Sequence, residues 1–190
     1  MPDLFELVDR EIWVITSADG ERRGGLIATW VQSSSLDPDE PIVTVSISEN
    51  HFTRELIDAS GAFGLHLLAE NQTDLAFNFC RDSGRDRDKL AGIRWRAETT
   101  GCPLLTDCLA AAECRIVDRY EAAGRVLYFA DVVSQDVHRQ AQPLTEQHFI
   151  QSGSLEQRAK LRADREIDAR VIRHAIHKWR ERAGRKKPSA

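Results

Sequence analysis

The segment from Ile42 to Ser48 constrains the fold of this chain most strongly, because polar and apolar side chains alternate along it. Val43, Val45 and Ile47 occupy every second position, and hydroxyl side chains lie between them. A period of two places these three residues on one face of a strand, and that face must be covered by other parts of the chain. The segment therefore predicts a β-strand with one buried face.

Several other short runs are rich in β-branched and apolar residues, which is typical of strands. They lie at residues 12–16, 25–31, 62–68, 113–120 and 126–133, and a further strand begins within residues 92–98. Helical spacing is confined to residues 53–59 and 71–80 in this part of the chain. Asn71 or Thr73 is the candidate N-cap of the second helix. Many short strands with few helices predict a mainly β fold, a β-barrel with peripheral helices, rather than a parallel α/β sheet.

Charge is unevenly distributed, although the formal net charge is only −4. Residues 151–190 hold 12 Lys and Arg against 5 Asp and Glu, so the rest of the chain is acidic. An acidic body argues against general binding of nucleic acid, while the basic segment leaves that question open. We divide the chain into a barrel domain, residues 1–145, and a basic helical extension, residues 146–190.

The basic extension predicts a long helix. Ser154 and Gln157 have the spacing of a capping box at its start. Further along, Ile172, Ile176 and Trp179 lie on one helical face. This apolar stripe needs a surface to cover, which is either the body of this chain or a second subunit.

No apolar run approaches the roughly 18–20 residues that cross a membrane, and the first residues lack the layout of a signal peptide. We therefore expect a cytoplasmic protein. The cysteines include no Cys-x-x-Cys pair, so buried free thiols are predicted at Cys80, Cys102, Cys108 and Cys114. His174 and His177 share a helical face but have no third ligand, so no metal site is predicted.

Small, hydroxyl and aromatic side chains follow two glycines in the first candidate binding segment: Gly24, Gly25, Ile27, Ala28, Thr29, Trp30 and, just beyond, Ser33. Small residues let a ligand approach the backbone closely, and hydroxyl groups can donate to phosphate or to a polar ring edge. Trp30 offers a flat wall. On residue types alone, the segment is a candidate cofactor cradle.

Polar side chains also surround the junction of the strand at Ile42–Ser48 with the helix that follows: Ser46, Ser48, Asn50, His51, Thr53 and Arg54. Free backbone N–H groups at a helix N-terminus attract anions, and a phosphate is the natural ligand for such a site. The alternative is an ordinary N-cap by Asn50 or Thr53, with no ligand.

Two further segments are cationic. Residues 81–89 form a charged loop that contains Arg87 and Lys89, and Arg125 follows Gly124 in a turn between two strands. The loop is expected to be solvated. Arg125 is either exposed or, if the turn lines a pocket, a fixed positive charge for a dinucleotide phosphate or a reduced ring. Neither a Gly-rich Rossmann fingerprint nor a Gly-Lys-Ser/Thr nucleotide loop occurs, so neither of these nucleotide-binding modes is expected.

Six motifs follow one another between residues 27 and 105: Ile27-Ala28-Thr29-Trp30, Ser34-Ser35-Leu36-Asp37-Pro38, Phe63-Gly64-Leu65-His66-Leu67-Leu68, Gln72-Thr73-Asp74-Leu75-Ala76-Phe77-Asn78-Phe79, Asp88-Lys89-Leu90-Ala91-Gly92-Ile93-Arg94-Trp95 and Gly101-Cys102-Pro103-Leu104-Leu105. Their order and spacing resemble the flavin reductase family, whose fold is the FMN-binding split barrel. The resemblance extends from about residue 10 to residue 135.

This resemblance implies a homodimer that binds FMN, with FAD as the alternative, in a groove near the subunit interface. It places Ala28, Thr29 and Trp30 at the edge of the flavin ring, and Ser48, Asn50 and Thr53 at the phosphate. The charged loop would cover the cofactor. The full predicted set of cofactor-binding residues is Ile27, Ala28, Thr29, Trp30, Ser33, Ser46, Ser48, Asn50, His51, Thr53, Arg87 and Lys89.

The same resemblance implies a reaction in which NADH or NADPH passes hydride to flavin N5, and a partner monooxygenase that receives reduced flavin. Two positions depart from the family pattern. Ile27 stands where the family has a threonine, and Arg125 stands where it often has the histidine linked to nicotinamide binding. Arg125 is therefore the predicted catalytic residue. Neither nucleic acid nor a membrane is expected as a partner.

Two other functions stay open on the sequence. One is an oxidoreductase that keeps its FMN and reduces another acceptor. The other is a flavin-binding split-barrel module without reductase turnover, which acts through a partner docked by the C-terminal helix.

Overall fold

A computed structural model of the chain describes residues 4–184. Within these residues, a short 3-10 helix (Leu4–Leu7) is followed in chain order by β1 (Trp13–Asp19), β2 (Arg22–Ala28), β3 (Val31–Ser33), β4 (Ile42–Ser48), α1 (Phe52–Ser60), β5 (Ala62–Leu67), α2 (Thr73–Cys80), β6 (Trp95–Arg96), β7 (Leu104–Leu105), β8 (Ala110–Ala122), β9 (Arg125–Val137), α3 (Glu146–Ser152) and α4 (Leu155–Arg182). The fold is mainly β with a C-terminal helix, which confirms the predicted fold class.

The main sheet has seven antiparallel strands and curls into a half-barrel. Its order is β2-β1-β5-β8-β9-β4-β3, so β2 and β3 lie at opposite edges. Only Thr29 and Trp30 separate these two strands in the chain, and such a link spans at most roughly 11 Å. The two edges must therefore approach each other at this link. The backbone N–H of Ser46 donates to the carbonyl oxygen of Trp30 over 3.0 Å and fixes the link to β4.

Side chains from alternate strand positions fill the interior of the half-barrel. Val43, Val45 and Ile47 of β4 are all buried, as the alternation predicts. Phe63 and Tyr128 are the largest buried side chains beside them, and the Tyr128 hydroxyl donates to Asp58 over 2.7 Å. Complete burial of a side chain such as Phe63 contributes about 1.5–3 kcal/mol, so this cluster holds the sheet in its curled form.

A second apolar cluster joins the sheet to α2 and α3. The rings of Phe77 and Phe149 pack with centroids 4.3 Å apart, next to the buried side chains of Leu68 and Phe79. This packing holds α2 and α3 on the same side of β1 and β2. Cys102, Cys108 and Cys114 are buried, Cys80 is half-buried, and all four are free thiols, as predicted.

Helix α2 does not begin as expected. Its N-cap is Gln72, and neither Asn71 nor Thr73 caps it, so that prediction is wrong. The Gln72 side chain accepts from the backbone N–H of Ala69 over 2.9 Å and donates to the carbonyl of Asp107 over 2.8 Å. Local propensity favours a short polar residue at an N-cap. Here the position is taken by the longer side chain of Gln72, because it links the chain at Ala69 to the chain at Asp107.

Strand lengths differ from the predicted ones in two places. The strand expected within residues 92–98 is only the two-residue β6, because Gly92 lies before it with φ of +75°, a left-handed conformation outside strand geometry. Strands β8 and β9 are thirteen residues each, longer than the periodic runs in the sequence. Register shifts at Glu113/Cys114 and Ile116/Asp118 bend this pair.

Helix α4 lies against the body of its own chain. The predicted capping box is present: Ser154 accepts from the backbone N–H of Gln157 over 3.1 Å, and the Gln157 side chain accepts from that of Ser154 over 2.7 Å. Ile172, Ile176 and Trp179 are half-buried, so the apolar stripe does find a surface here. No helix among residues 4–184 is both long and apolar enough to cross a membrane.

Candidate functional site

A cleft of about 700 Å³ opens beside the seam of the half-barrel, which is the place where β2 and β3 approach each other at the link of Thr29 and Trp30. Its walls come from the end of β2, the start of α1, the charged loop after α2, and helices α3 and α4. A volume of this size is ordinary for a small-molecule or cofactor site. The cleft is therefore the candidate functional site.

The first predicted segment contributes alternate residues to this cleft. Ile27 and Thr29 line it, whereas Ala28 packs against the interior cluster of the half-barrel. Successive side chains on a strand point to opposite faces, which explains the separation. Ser33, at the end of β3, is exposed, does not line the cleft and donates to the carbonyl of Ser35 over 3.1 Å. Gly25 also lines the cleft, so this segment supplies three of its predicted residues to the cleft wall.

The start of α1 forms the opposite wall, where Asn50, His51 and Thr53 all line the cleft. The N-cap of α1 is His51, and no side chain caps the helix. The alternative of an ordinary N-cap by Asn50 or Thr53 is therefore wrong. Burial lowers the pKa of His51, which favours the neutral imidazole. The helix presents the positive end of its dipole and side-chain donors to the cleft. Ser48, just before it, is buried and does not line the cleft.

The charged loop is held against α1 and α2 by specific bonds. Lys89 lines the cleft and donates from Nζ to the carbonyl of Phe79 over 2.7 Å, and burial lowers the pKa of this ammonium group. Arg85 stacks on Phe52, with its guanidinium 5.5 Å from the ring centroid, and forms an ion pair with Glu55. The loop therefore builds part of the cleft wall.

Arg87 points away from the cleft. Its guanidinium donates to the carbonyl of Asn78 over 2.7 Å and to the side-chain oxygen of the same residue over 3.1 Å. Its Nε also lies 3.3 Å from Asp82 Oδ2, which makes an ion pair. Arg87 thus ties the loop to α2, and Lys89 is the predicted cation that the structure brings to the cleft.

Arg125, Trp30 and Ser46 form a separate cluster at the seam. The Arg125 guanidinium lies 3.9 Å from the centroid of the Trp30 ring, and its Nε donates to Ser46 Oγ over 2.9 Å. Its Nη2 donates to the backbone carbonyl of Ser46 over 2.5 Å. Burial lowers the pKa of Arg125 to about 10, which leaves it charged at neutral pH. The cluster is a fixed positive charge beside a half-exposed aromatic ring.

Helix α4 contributes side chains that were not predicted to belong to the site. Leu161, Asp164 and Asp168 line the cleft. Asp168 exerts a favourable electrostatic effect on both His51 and Arg125, which raises the pKa of each against the effect of burial. The sequence does contain a signal for these two acids. Asp168 and Asp164 lie four and eight residues before Ile172, so all three share one face of the helix.

No three or more His, Cys, Asp or Glu side chains between residues 4 and 184 are grouped so that they could hold a metal ion. His174 and His177 are both exposed on α4. The side-chain donors of the cleft are amide, hydroxyl, ammonium and guanidinium groups, a set that suits an anionic organic ligand.

Comparison with known proteins gives consistent matches. High molecular weight rubredoxin of Moorella thermoacetica is 32% identical over 142 residues, which are 74% of this chain and 61% of that protein. A nitrilotriacetate monooxygenase component B homolog from Mycobacterium thermoresistibile superimposes with a TM-score of 0.65 and 26% identity, over 73% of this chain and 75% of that one. An FMN-binding protein from Thermus thermophilus, crystallised with 1-cyclohex-2-enone, has a TM-score of 0.65 and 25% identity, over 73% and 76%.

The chain spans between 25% and 61% of the length of the first curated relatives that it matches. Residues 5–149 match the family model described as a flavin reductase like domain, which is well over half of the chain. The chain therefore belongs to the flavin reductase-like family.

Proposed function

We propose that this protein is an NAD(P)H-dependent flavin reductase that binds FMN in the cleft between β2 and α1. The observation that carries the proposal is the uncapped start of α1, whose donors face Ile27 and Thr29 across a cleft of about 700 Å³. Membership of the flavin reductase-like family supports it.

The donor set at α1 fits the phosphate of FMN. Asn50 and Thr53 bring an amide and a hydroxyl group, and the first turn of the helix brings backbone N–H groups. Lys89 adds a positive charge on the loop side of the same cleft. Together these groups satisfy an anion without a metal ion or a glycine-rich loop. Ile27 offers an apolar surface to the flavin ring in place of the hydroxyl of its family position.

Bound flavin supplies the redox chemistry, and the residues of this chain supply position and electrostatics. Arg125 cannot act as a proton carrier near neutral pH because its guanidinium stays charged. We assign it the binding of a phosphate of NADH or NADPH. Its hydrogen bonds to Ser46 and its contact with Trp30 hold that charge in one place. A fixed charge orients a substrate with little loss of conformational freedom.

We further propose that the protein forms a homodimer and passes reduced flavin to a monooxygenase. Several apolar side chains on the paired strands β8 and β9 are exposed and would be covered by a second copy: Val117, Tyr120, Val133 and Val137. The similarity to a nitrilotriacetate monooxygenase component B homolog supports the monooxygenase. Sedimentation of the purified protein tests the dimer.

A second candidate is a flavin-binding module without reductase turnover. The position of α4 favours it, because the helix closes the side of the cleft next to Arg125. A hydride donor would have to reach the flavin past this helix.

Spectroscopy and steady-state kinetics separate these candidates. Oxidation of NADH or NADPH that depends on added FMN supports the reductase. Near-stoichiometric flavin in the purified protein, with electron transfer to another acceptor, supports an oxidoreductase that keeps its FMN. Flavin binding without oxidation of either nucleotide supports the module. A protein that binds neither FMN nor FAD would overturn all three.

A further inference from the structure

Trp30 and Arg125 form a pair at the seam, next to the cleft. Neither side chain lines the cleft itself. Trp30 directly follows Thr29, which does line it, and Arg125 is the register partner of Ser48, three residues before His51 at the cleft wall. The Trp30–Arg125 pair is therefore joined to two walls of the cleft by short stretches of backbone.

One residue of β4 fixes both members of this pair. The backbone N–H of Ser46 donates to the carbonyl oxygen of Trp30 over 3.0 Å. Ser46 Oγ and the Ser46 carbonyl oxygen accept from Nε and Nη2 of Arg125 over 2.9 and 2.5 Å. The guanidinium is thereby held 3.9 Å from the centroid of the Trp30 ring. Because the sheet already orders both groups, a ligand that binds them loses little affinity to their ordering.

Both groups keep unused binding capacity. Trp30 is 50% exposed, although the guanidinium covers part of its ring. Arg125 Nη1 forms no hydrogen bond with any residue between 4 and 184. Helix α4 approaches the neighbouring turn at Gly124 but leaves Trp30 open to solvent. An aromatic surface and a charged donor are therefore available side by side.

A planar base with a nearby phosphate is the kind of ligand that such a pair recognises. Nucleotide bases stack on aromatic side chains because every base has a π-face. The planar guanidinium of arginine both stacks on aromatic rings and donates to phosphate oxygens. An adenylate group carries the base and the phosphate together, so it can use both members of the pair at once.

We propose that the Trp30–Arg125 pair is a subsite for the adenylate half of a dinucleotide, in which adenine stacks on the exposed part of the indole and a phosphate oxygen accepts from Arg125 Nη1. The dinucleotide is NADH or NADPH, or else FAD. This inference rests on the proposed function for the identity of its ligand, because the other half of the dinucleotide would enter the cleft. The family resemblance predicts Trp30 at the edge of the flavin ring, whereas this subsite gives the indole a different ligand.

Titration with ADP-ribose tests the subsite without flavin, because ADP-ribose carries adenine and two phosphates but no nicotinamide. Trp30→Leu removes the ring and should weaken ADP-ribose binding about fivefold or more, measured by calorimetry. Trp30→Phe keeps an aromatic face and should recover most of the affinity. Arg125→Gln should weaken binding about tenfold or more, because a hydrogen bond between charged groups is lost.

Trp95→Leu is the matched control for the loss of an indole. Trp95 also lies beside an arginine, with the Arg23 guanidinium 5.4 Å from its ring centroid, but it belongs to β6. This variant should bind ADP-ribose as tightly as the unmodified protein does.

The two sources of the adenylate group give different results. If it belongs to the hydride donor, ADP-ribose competes with NADH or NADPH, and Trp30→Leu raises the KM for that nucleotide while FMN and FAD bind unchanged. If it belongs to FAD, Trp30→Leu weakens the binding of FAD and leaves that of FMN unchanged.

The outcomes also distinguish this inference from the proposed function. If the unmodified protein binds FMN but not ADP-ribose, or if Trp30→Leu binds ADP-ribose equally well, the subsite is refuted and flavin binding stands. A Trp30→Leu variant that changes only sedimentation would place the indole in a contact between two copies and would refute the subsite too. If ADP-ribose binding depends on Trp30 but neither FMN nor FAD binds, the proposed function fails and the adenylate subsite stands.

Discussion

The half-barrel and helix α4 border the same cleft, yet they are held in place by very different amounts of buried surface. The half-barrel encloses fully buried side chains such as Phe63 and Val45, while no residue of α4 is buried. The wall of the cleft that the half-barrel forms is therefore as rigid as the core of the protein. The wall that α4 forms depends on half-buried contacts and on one long ion pair, in which Lys160 Nζ lies 3.8 Å from Asp82 Oδ1. A site built in this way can keep its binding geometry on one side and change its accessibility on the other.

A substitution in the barrel core should produce the largest effect. The side chain of Phe63, which belongs to β5, is completely buried in the interior of the half-barrel. Phe63→Ala should therefore lower the free energy of unfolding by about 3–5 kcal/mol. Denaturation in urea, followed by tryptophan fluorescence, measures the change. A loss below about 1 kcal/mol would mean that the interior cluster does not hold the sheet together.

Acid should destabilise the barrel through His66. Its Nδ1 donates to the carbonyl of Val14 over 3.0 Å, and its Nε2 accepts from the backbone N–H of Leu105 over 3.0 Å, an arrangement that fits only the neutral ring. Burial lowers the pKa of His66 to about 4 from its ordinary 6.5. The unfolded chain therefore takes up a proton first as the pH falls from 6.5 toward 4, and stability is lost in that window.

Between pH 7.5 and pH 5, this difference amounts to about 2 kcal/mol of unfolding free energy. Unfolding in urea at the two pH values measures it. His66→Gln, whose amide can donate and accept, should reduce the pH dependence by most of this amount. If the unfolding free energy of the variant falls by as much between the two pH values as that of the unmodified protein, other groups cause the acid sensitivity.

The start of α1 is the next test, because it belongs to the rigid wall. The combined change of Asn50→Ala and Thr53→Ala removes two donors to an anion, and each hydrogen bond to a charged group contributes about 1.5–3 kcal/mol. We expect FMN to bind at least roughly tenfold more weakly, with riboflavin affected much less. Fluorescence titration measures both ligands, and an unchanged affinity for FMN would place the phosphate elsewhere.

Sequence periodicity predicted the parts of the fold in which one face is buried. Strand β4 has the predicted bounds, because its alternation reflects a covered face. The outer part of β9, beyond Val133, is mostly exposed on both faces, so its residues carry no period and the strand was predicted too short. Long polar strands are specified by pairing with a neighbour, which periodicity does not record.

The residues of the candidate site could be predicted where their position follows from the course of the backbone alone. The junction before α1 placed Asn50, His51 and Thr53 at the cleft. The orientation of Arg87 was not predictable, because it follows from the carbonyl of Asn78, which only the folded chain brings within reach. Asp168 was not predicted to belong to the site, because the sequence does not show that the C-terminal helix packs beside the cleft.

The smallest expected effect concerns the packing of α4. Ile172 is half-buried and lies close to Gly124 at the β8–β9 turn. Ile172→Ala should lower the global free energy of unfolding by less than about 1 kcal/mol, because little apolar surface is lost and the barrel remains intact. Hydrogen exchange of the α4 amides should nonetheless become faster, while the amides of β5 and β8 keep their protection. If both regions lost protection together, α4 would be part of the same cooperative unit as the barrel, and the contrast between a rigid and a detachable wall would not hold.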